Sequence, residues 1–121
     1  MKEIDIIIPQ PYLDAVNKVL QKHKVGGMYY YEISGRGRGE RKEVEKLVAP
    51  DSYMTGKRYI PEFHSLMKVQ VIVSDTLEKT LVEEIMNSVS TGSAGDGKVF
   101  VKDVTNAYDI GTKTSGEKAA L

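Results

Sequence analysis

The sequence predicts an α+β fold made of two β-α-β units in series, and three observations carry that expectation. Residues 3–8 and 28–34 are β-branched or aromatic runs on either side of a stretch with apolar residues at helical spacing. A second trio of the same kind occupies residues 67–101, and a segment of mixed charge without any period, residues 36–62, separates the two. Two such halves make a split βαβ sandwich, an antiparallel sheet with two helices on one face. At 121 residues the chain can build one core but not two, so residues 1–121 are expected to form a single domain.

Each element has a local reason. Glu3 to Ile8 is nearly continuous in isoleucine, which suits a central strand, and Pro9 stops it. Pro11 fits the first residue of a helix whose face carries Leu13, Val16, Val19 and Leu20; it ends near His23 and is released by Gly26 and Gly27. Met28 to Ser34 is an aromatic strand ending at Gly35. After the long segment, Met67 to Val73 alternates as a half-buried strand does. Asp75 is expected to cap the next helix with Glu78 completing a capping box, and Leu77, Leu81, Val82, Ile85 and Val89 form its buried stripe. Val99 to Val101 is a short strand, Tyr108 to Ile110 a candidate second one, and residues 111–121 read as a polar tail. A sheet covered on one side, with Tyr29 to Tyr31 in a strand, needs cover on the other, so an oligomer is expected.

Composition narrows the function. Seventeen basic and seventeen acidic residues give a formal net charge of zero, so no global field draws in nucleic acid or a membrane surface. The chain has no cysteine, which excludes disulfides, thiol catalysis and thiolate metal sites. Acidic Glu3 and Asp5 stand where a signal peptide would be basic, and no apolar run reaches the length of a membrane span; a soluble, cytoplasmic protein without direct membrane insertion is expected. His23 and His64 lack a second ligand at metal spacing, so no metal site is expected. No nucleophile, base and orienting group sit together, which argues against an enzyme and leaves no catalytic residue to name.

The stretch that invites chemistry is Thr91-Gly92-Ser93-Ala94-Gly95-Asp96-Gly97-Lys98, three glycines and a lysine between the second helix and the last strand. Glycines let backbone amides turn toward a ligand, and the lysine adds a point charge, so the loop can hold phosphate. It is not a Walker A loop, because the glycine-to-lysine spacing is short and Val99 follows Lys98. Asp96 is assigned to fixing the loop's own amides.

With these residues in place, the chain resembles the PII signal-transduction family over almost its whole length. The resemblance is carried by Gly27-Met28, by Glu32 with Gly35, Gly37 and Arg38, by Tyr59 four residues before Phe63, and above all by the run from Thr91 to Val101. It implies a homotrimer with adenine-nucleotide clefts between neighbouring subunits. Thr91, Gly92, Gly95, Asp96, Gly97 and Lys98 would wrap the phosphates, Gly35, Gly37 and Arg38 would close the site, and Ile7 and Ile72 would line it. Residues 36–62 would be an effector loop, with Arg41, Lys42, Tyr53 and Tyr59 facing a protein target such as an ammonium transporter or a metabolic enzyme.

Three departures from the family pattern shape the expected ligand. Gly39 stands where a glutamine helps hold Mg²⁺ and 2-oxoglutarate, Leu66 where a lysine pairs with the 2-oxoglutarate carboxylate, and Asp109 and Gly111 where two arginines reach the phosphates. Lys113 is the nearby cation that remains. The resemblance then implies ATP, ADP, AMP or cyclic AMP as ligand, with or without Mg²⁺, and weak or absent 2-oxoglutarate binding, since that dianion has lost its charge-assisted contacts. A reading from another class is a single-stranded RNA-binding module on the same sheet, using Tyr29 to Tyr31 and Lys98 to Lys102. Net charge zero and a poor match to the aromatic pattern of that module count against it.

Overall fold

The computed structural model describes residues 1–37 and 63–121, together with the backbone pairing of residues 44–45 and 58–59. Among the sequence-derived assignments, Arg38, Gly39, Arg41, Lys42 and Tyr53 lie outside the described residues, and only the backbone of Tyr59 lies within them. The elements run β1 (Lys2–Ile8), α1 (Leu13–Lys22), β2 (Met28–Gly35), β3 (Val44–Glu45), β4 (Arg58–Tyr59), β5 (His64–Val73), α2 (Asp75–Val89), β6 (Lys98–Asp103) and α3 (Glu117–Ala120). Four strands form one antiparallel sheet in the order β2-β5-β1-β6, the ferredoxin-like arrangement expected, while β3 and β4 pair with each other inside the segment that showed no period.

Strand register divides the side chains cleanly. Ile4, Ile6 and Ile8 of β1 point to the helices beside Met67, Val69, Val71 and Val73 of β5, and all are buried. Val16, Val19 and Leu20 of α1 and Leu81, Ile85 and Val89 of α2 close that core. Each fully buried aliphatic side chain contributes about 1.5–3 kcal/mol, so this one layer dominates the stability of the domain. Tyr29 and Tyr31 lie on the uncovered face, paired with Gln70 and Lys68, whereas Tyr30 pairs with Val69 on the helix side at the edge of the sheet. The aromatic run is therefore split between two faces.

Several boundaries differ from the sequence-based expectation for identifiable reasons. Pro11 sits in a 3-10 turn over Gln10–Tyr12, and the α-helix begins at Leu13. Asp75 does not cap α2: Ser74 holds the cap position without a side-chain bond, and the Asp75 carboxylate instead lies 3.0 Å from the amino group of Met1. β5 begins at His64 because its first residues pair with the end of β2, Ser34 opposite Ser65 and Gly35 opposite His64. Tyr108 forms only a single bridge to Ser115, and the tail is not plain coil, since it ends in α3.

One ion cluster ties the two helices together. His23 Nε2 lies 2.9 Å from Glu84 Oε2, and Lys22 Nζ lies 3.2 Å from Glu84 Oε1. The hydrogen bond from His23, with that from Lys22, holds the Glu84 carboxyl below its ordinary range. A carboxylate depressed in the folded state adds stability above its unfolded pKa, about 4.3, and loses it as pH falls through the lower folded value. Glu84→Gln is expected to remove that acid-side slope. Urea midpoints measured on both sides of about pH 4 check it, with a variant that keeps the wild-type slope counting against the cluster.

Candidate phosphate-binding loop and the cleft beside it

The loop from Thr91 to Lys98 leaves the C-terminus of α2 and enters β6, which pairs with β1 so that Lys98 faces Ile7. Its shape is set from within by Asp96. One carboxylate oxygen accepts the Thr91 amide at 2.5 Å and the Ser93 amide at 3.2 Å, and the other accepts the Thr91 hydroxyl at 2.6 Å. The Thr91 hydroxyl and amide, with the Ser93 amide, hold the Asp96 carboxyl below its ordinary range, so it is charged at neutral pH. The sequence-based assignment of Asp96 to the loop's own amides agrees with this geometry.

Gly97 seats the loop on the sheet. Its φ is +131°, and a Cβ built there would lie 2.1 Å from the carbonyl oxygen of Ile7. No side chain fits, so glycine is required at this point by contact as well as by conformation. Gly92 also has a positive φ, +87°, but faces open space. The Gly95 amide donates to the Ser93 hydroxyl at 3.2 Å, which makes Ser93 a structural member of the loop that the sequence pattern had passed over. Lys98 is exposed and makes no ion pair among the described residues.

Beside the loop, on the helix side of the sheet, lies a cleft of about 220 Å³ lined by Ile6, Ile8, Met86, Val89 and Val99 with Ser93, Asp96 and Lys98 at its polar end. A smaller cleft of about 140 Å³ lies between His23, Gly26, Gly27, Ile72, Leu77 and Leu121. Ile72 pairs with Glu3 and Ile7 with Lys68, so these two residues stand four positions apart along the sheet, about 13 Å. One chain does not bring Ile7 and Ile72 into a single pocket. Lys113 is likewise separate: it lies in a turn beyond the end of β6 that pairs with Lys2, its amide donating to the Asp109 carbonyl at 2.8 Å. Gly35 ends β2 opposite His64, with Leu66 Cδ1 3.6 Å from where its Cβ would be, and Gly37 faces open space.

The uncovered face holds a group that sequence reasoning did not single out. Asp5, 1% exposed, points away from the helices, with Lys102 Nζ 2.7 Å and Lys68 Nζ 3.6 Å from Oδ2. Burial opposes its charge, but the Lys102 ammonium and the Glu3 side chain, with Lys68 close by, bring its carboxyl below the ordinary range. Its other oxygen, Oδ1, has no hydrogen-bond partner among the described residues. An acid inside the isoleucine run was the available signal; the lysines that answer it come from β5 and β6 and are invisible without the register.

Among the described residues there is no cluster of histidine and carboxylate side chains that could hold a metal, and no helix long and apolar enough to cross a membrane. Comparison with known proteins gives a consistent result. The sequence profile of the family described as nitrogen regulatory protein P-II matches residues 1–114. Nitrogen regulatory protein P-II 2 of Methanothermobacter thermautotrophicus is 36% identical over 119 residues, 98% of this chain and 96% of that protein. Nitrogen regulatory protein P-II of Klebsiella oxytoca and P-II 1 of Escherichia coli are each 34% identical over 98% of this chain and 99% of their own.

Proposed function

Because the chain belongs to the nitrogen regulatory protein P-II family, we propose that it is a cytoplasmic, non-enzymatic signalling protein that binds an adenine nucleotide at the loop from Thr91 to Lys98. The observation that carries this reading is the loop itself, held in shape by Asp96, seated on Ile7 by Gly97, and ending in an ammonium that has no partner among the described residues. A diphosphate or triphosphate supplies the charge that Lys98 lacks. The separation of Ile7 from Ile72 supports a cleft completed by a second copy, so three copies would form three sites. Residues 36–62, bearing Arg41, Lys42, Tyr53 and Tyr59, would report the bound state to a protein target, an ammonium transporter or a metabolic enzyme.

The residues at the departures support an altered ligand preference. Leu66 lies on the uncovered face of β5 and offers no positive charge to 2-oxoglutarate, and neither the Asp109 carboxylate nor Gly111 offers one to a third phosphate. ADP, AMP or cyclic AMP would then compete with ATP, with or without Mg²⁺. Single-stranded RNA is disfavoured on the aromatic face, because the Lys68 and Lys102 ammonium groups there are already engaged by Asp5 and Glu3.

Isothermal titration with ATP, ADP, AMP and cyclic AMP, each with and without Mg²⁺ and 2-oxoglutarate, tests the reading. At least one nucleotide is expected to bind, and Lys98→Ala is expected to weaken it by about ten- to a hundredfold while leaving the fold intact, as fits loss of one charge-assisted contact. Wild-type protein that takes up none of the four nucleotides would end this reading and leave the loop as architecture alone.

A further inference from the structure

One rung of the sheet runs from the loop to a second ammonium. Lys98 pairs with Ile7 and Ile7 with Lys68, so the three stand side by side on β6, β1 and β5 with their side chains on the uncovered face. Strands lie about 4.8 Å apart, which sets the two lysine Cα atoms about 10 Å from each other, and flexible four-carbon stems can lean together across Ile7. In this structure Lys68 leans away from the loop. Its Nζ lies 3.6 Å from Asp5 Oδ2, beyond hydrogen-bond range, and 5.8 Å from the centre of the Tyr31 ring. Asp5 has a closer cation in Lys102, at 2.7 Å, which Glu3 also holds at 3.4 Å. Lys68 is therefore the outer partner of a buried carboxylate already answered, and it can leave without stranding that charge. Lys102 cannot serve in its place, because it stands four positions along β6 from Lys98, about 13 Å.

We propose that Lys68 is a second phosphate-binding cation, one that passes from Asp5 to the phosphate chain of a nucleotide held at Lys98. The inference rests on the reading that the loop binds a nucleotide, and it adds what makes the site sensitive to the number of phosphates. The loop amides and Lys98 serve the phosphates nearest the loop, whereas Lys68, two strands away, meets only a chain long enough to cross Ile7. It returns part of the preference for a longer chain that Asp109 and Gly111 do not supply. The exchange needs a phosphate that the loop has already fixed on this rung, which an unanchored strand of RNA does not present.

Titration of Lys68→Met with ATP, ADP and AMP, beside the wild type and Lys98→Ala, tests the proposal. Lys68→Met is expected to weaken ATP by about tenfold and AMP by less than about twofold. Its urea midpoint is expected to stay at the wild-type value, because Asp5 retains Lys102. Lys68→Arg keeps the charge and is expected to bind ATP much as the wild type does. Wild-type ATP affinity in Lys68→Met, alongside weak binding in Lys98→Ala, would overturn the second cation and leave the loop standing. Equal weakening of ATP and AMP, unrestored by Lys68→Arg, would also overturn it, as the mark of a residue that shapes the site without meeting phosphate. Wild-type protein that takes up no nucleotide would remove the loop reading and this inference with it.

Discussion

Gly97→Ala is expected to destabilise the protein by about 3 kcal/mol and to abolish nucleotide binding, the larger part of the effect coming from contact rather than conformation. A backbone at φ +131° is strained for any L side chain, a cost of about 1–3 kcal/mol. The added methyl would also stand 2.1 Å from the Ile7 carbonyl oxygen, which belongs to the central strand and cannot retreat. Relief requires β6 to part from β1 at the register pair Lys98 and Ile7, and the loop leaves its seat. Urea denaturation gives the stability change and titration the binding. A Gly97→Ala protein with wild-type stability would mean that the loop is not held against Ile7 as described.

Asp96→Ala is expected to leave the core folded and to weaken nucleotide binding by at least about tenfold. The substitution frees the Thr91 amide, the Thr91 hydroxyl and the Ser93 amide together, so the loop loses the acceptor that sets its shape while the sheet and helices keep theirs. The pH dependence has a definite sign. The Asp96 carboxyl is depressed by Thr91 and Ser93, so the ordered loop is fully present above the ordinary carboxylate range and is lost as pH falls through the lowered value. The Thr91 amide resonance should follow this titration in the wild type and lose it in the variant. Asp96→Ala with unchanged affinity would assign the loop's shape to its glycines alone.

Much of this architecture was legible in one dimension because its causes are local. The isoleucines of β1 and the 3.6-residue stripe of α2 each act within a few residues, whereas the left-handed residue that follows α1 is Lys24, at φ +56°, and not Gly26 or Gly27. The pattern from Thr91 to Lys98 marked the loop, and the role of Asp96 followed from its reach to nearby amides. What was not legible depends on which strands lie side by side. Asp5 reads as an acid in a hydrophobic run until β5 and β6 bring Lys68 and Lys102 to it. The requirement at Gly97 comes from Ile7, ninety residues earlier in the chain, and Asp75 was diverted from its cap by an amino group brought in by the sheet. Ile7 and Ile72 look equivalent in sequence, and only the register sets them apart.

The pairing of Gly35 with His64 carries a further consequence for how proteins of this shape diversify. The chain departs from the sheet and rejoins it at one rung of the ladder, so the segment between residues 36 and 63 has its two ends fastened together by strands whose hydrogen bonds do not depend on what lies between them. Closing such an excursion becomes only slowly harder as it grows, by about 0.6 kcal/mol for each doubling of its length. Insertions, deletions and wholesale exchange at that rung therefore leave the sheet and the helices packed on it almost untouched. A lineage can rewrite that one segment while the core stays fixed.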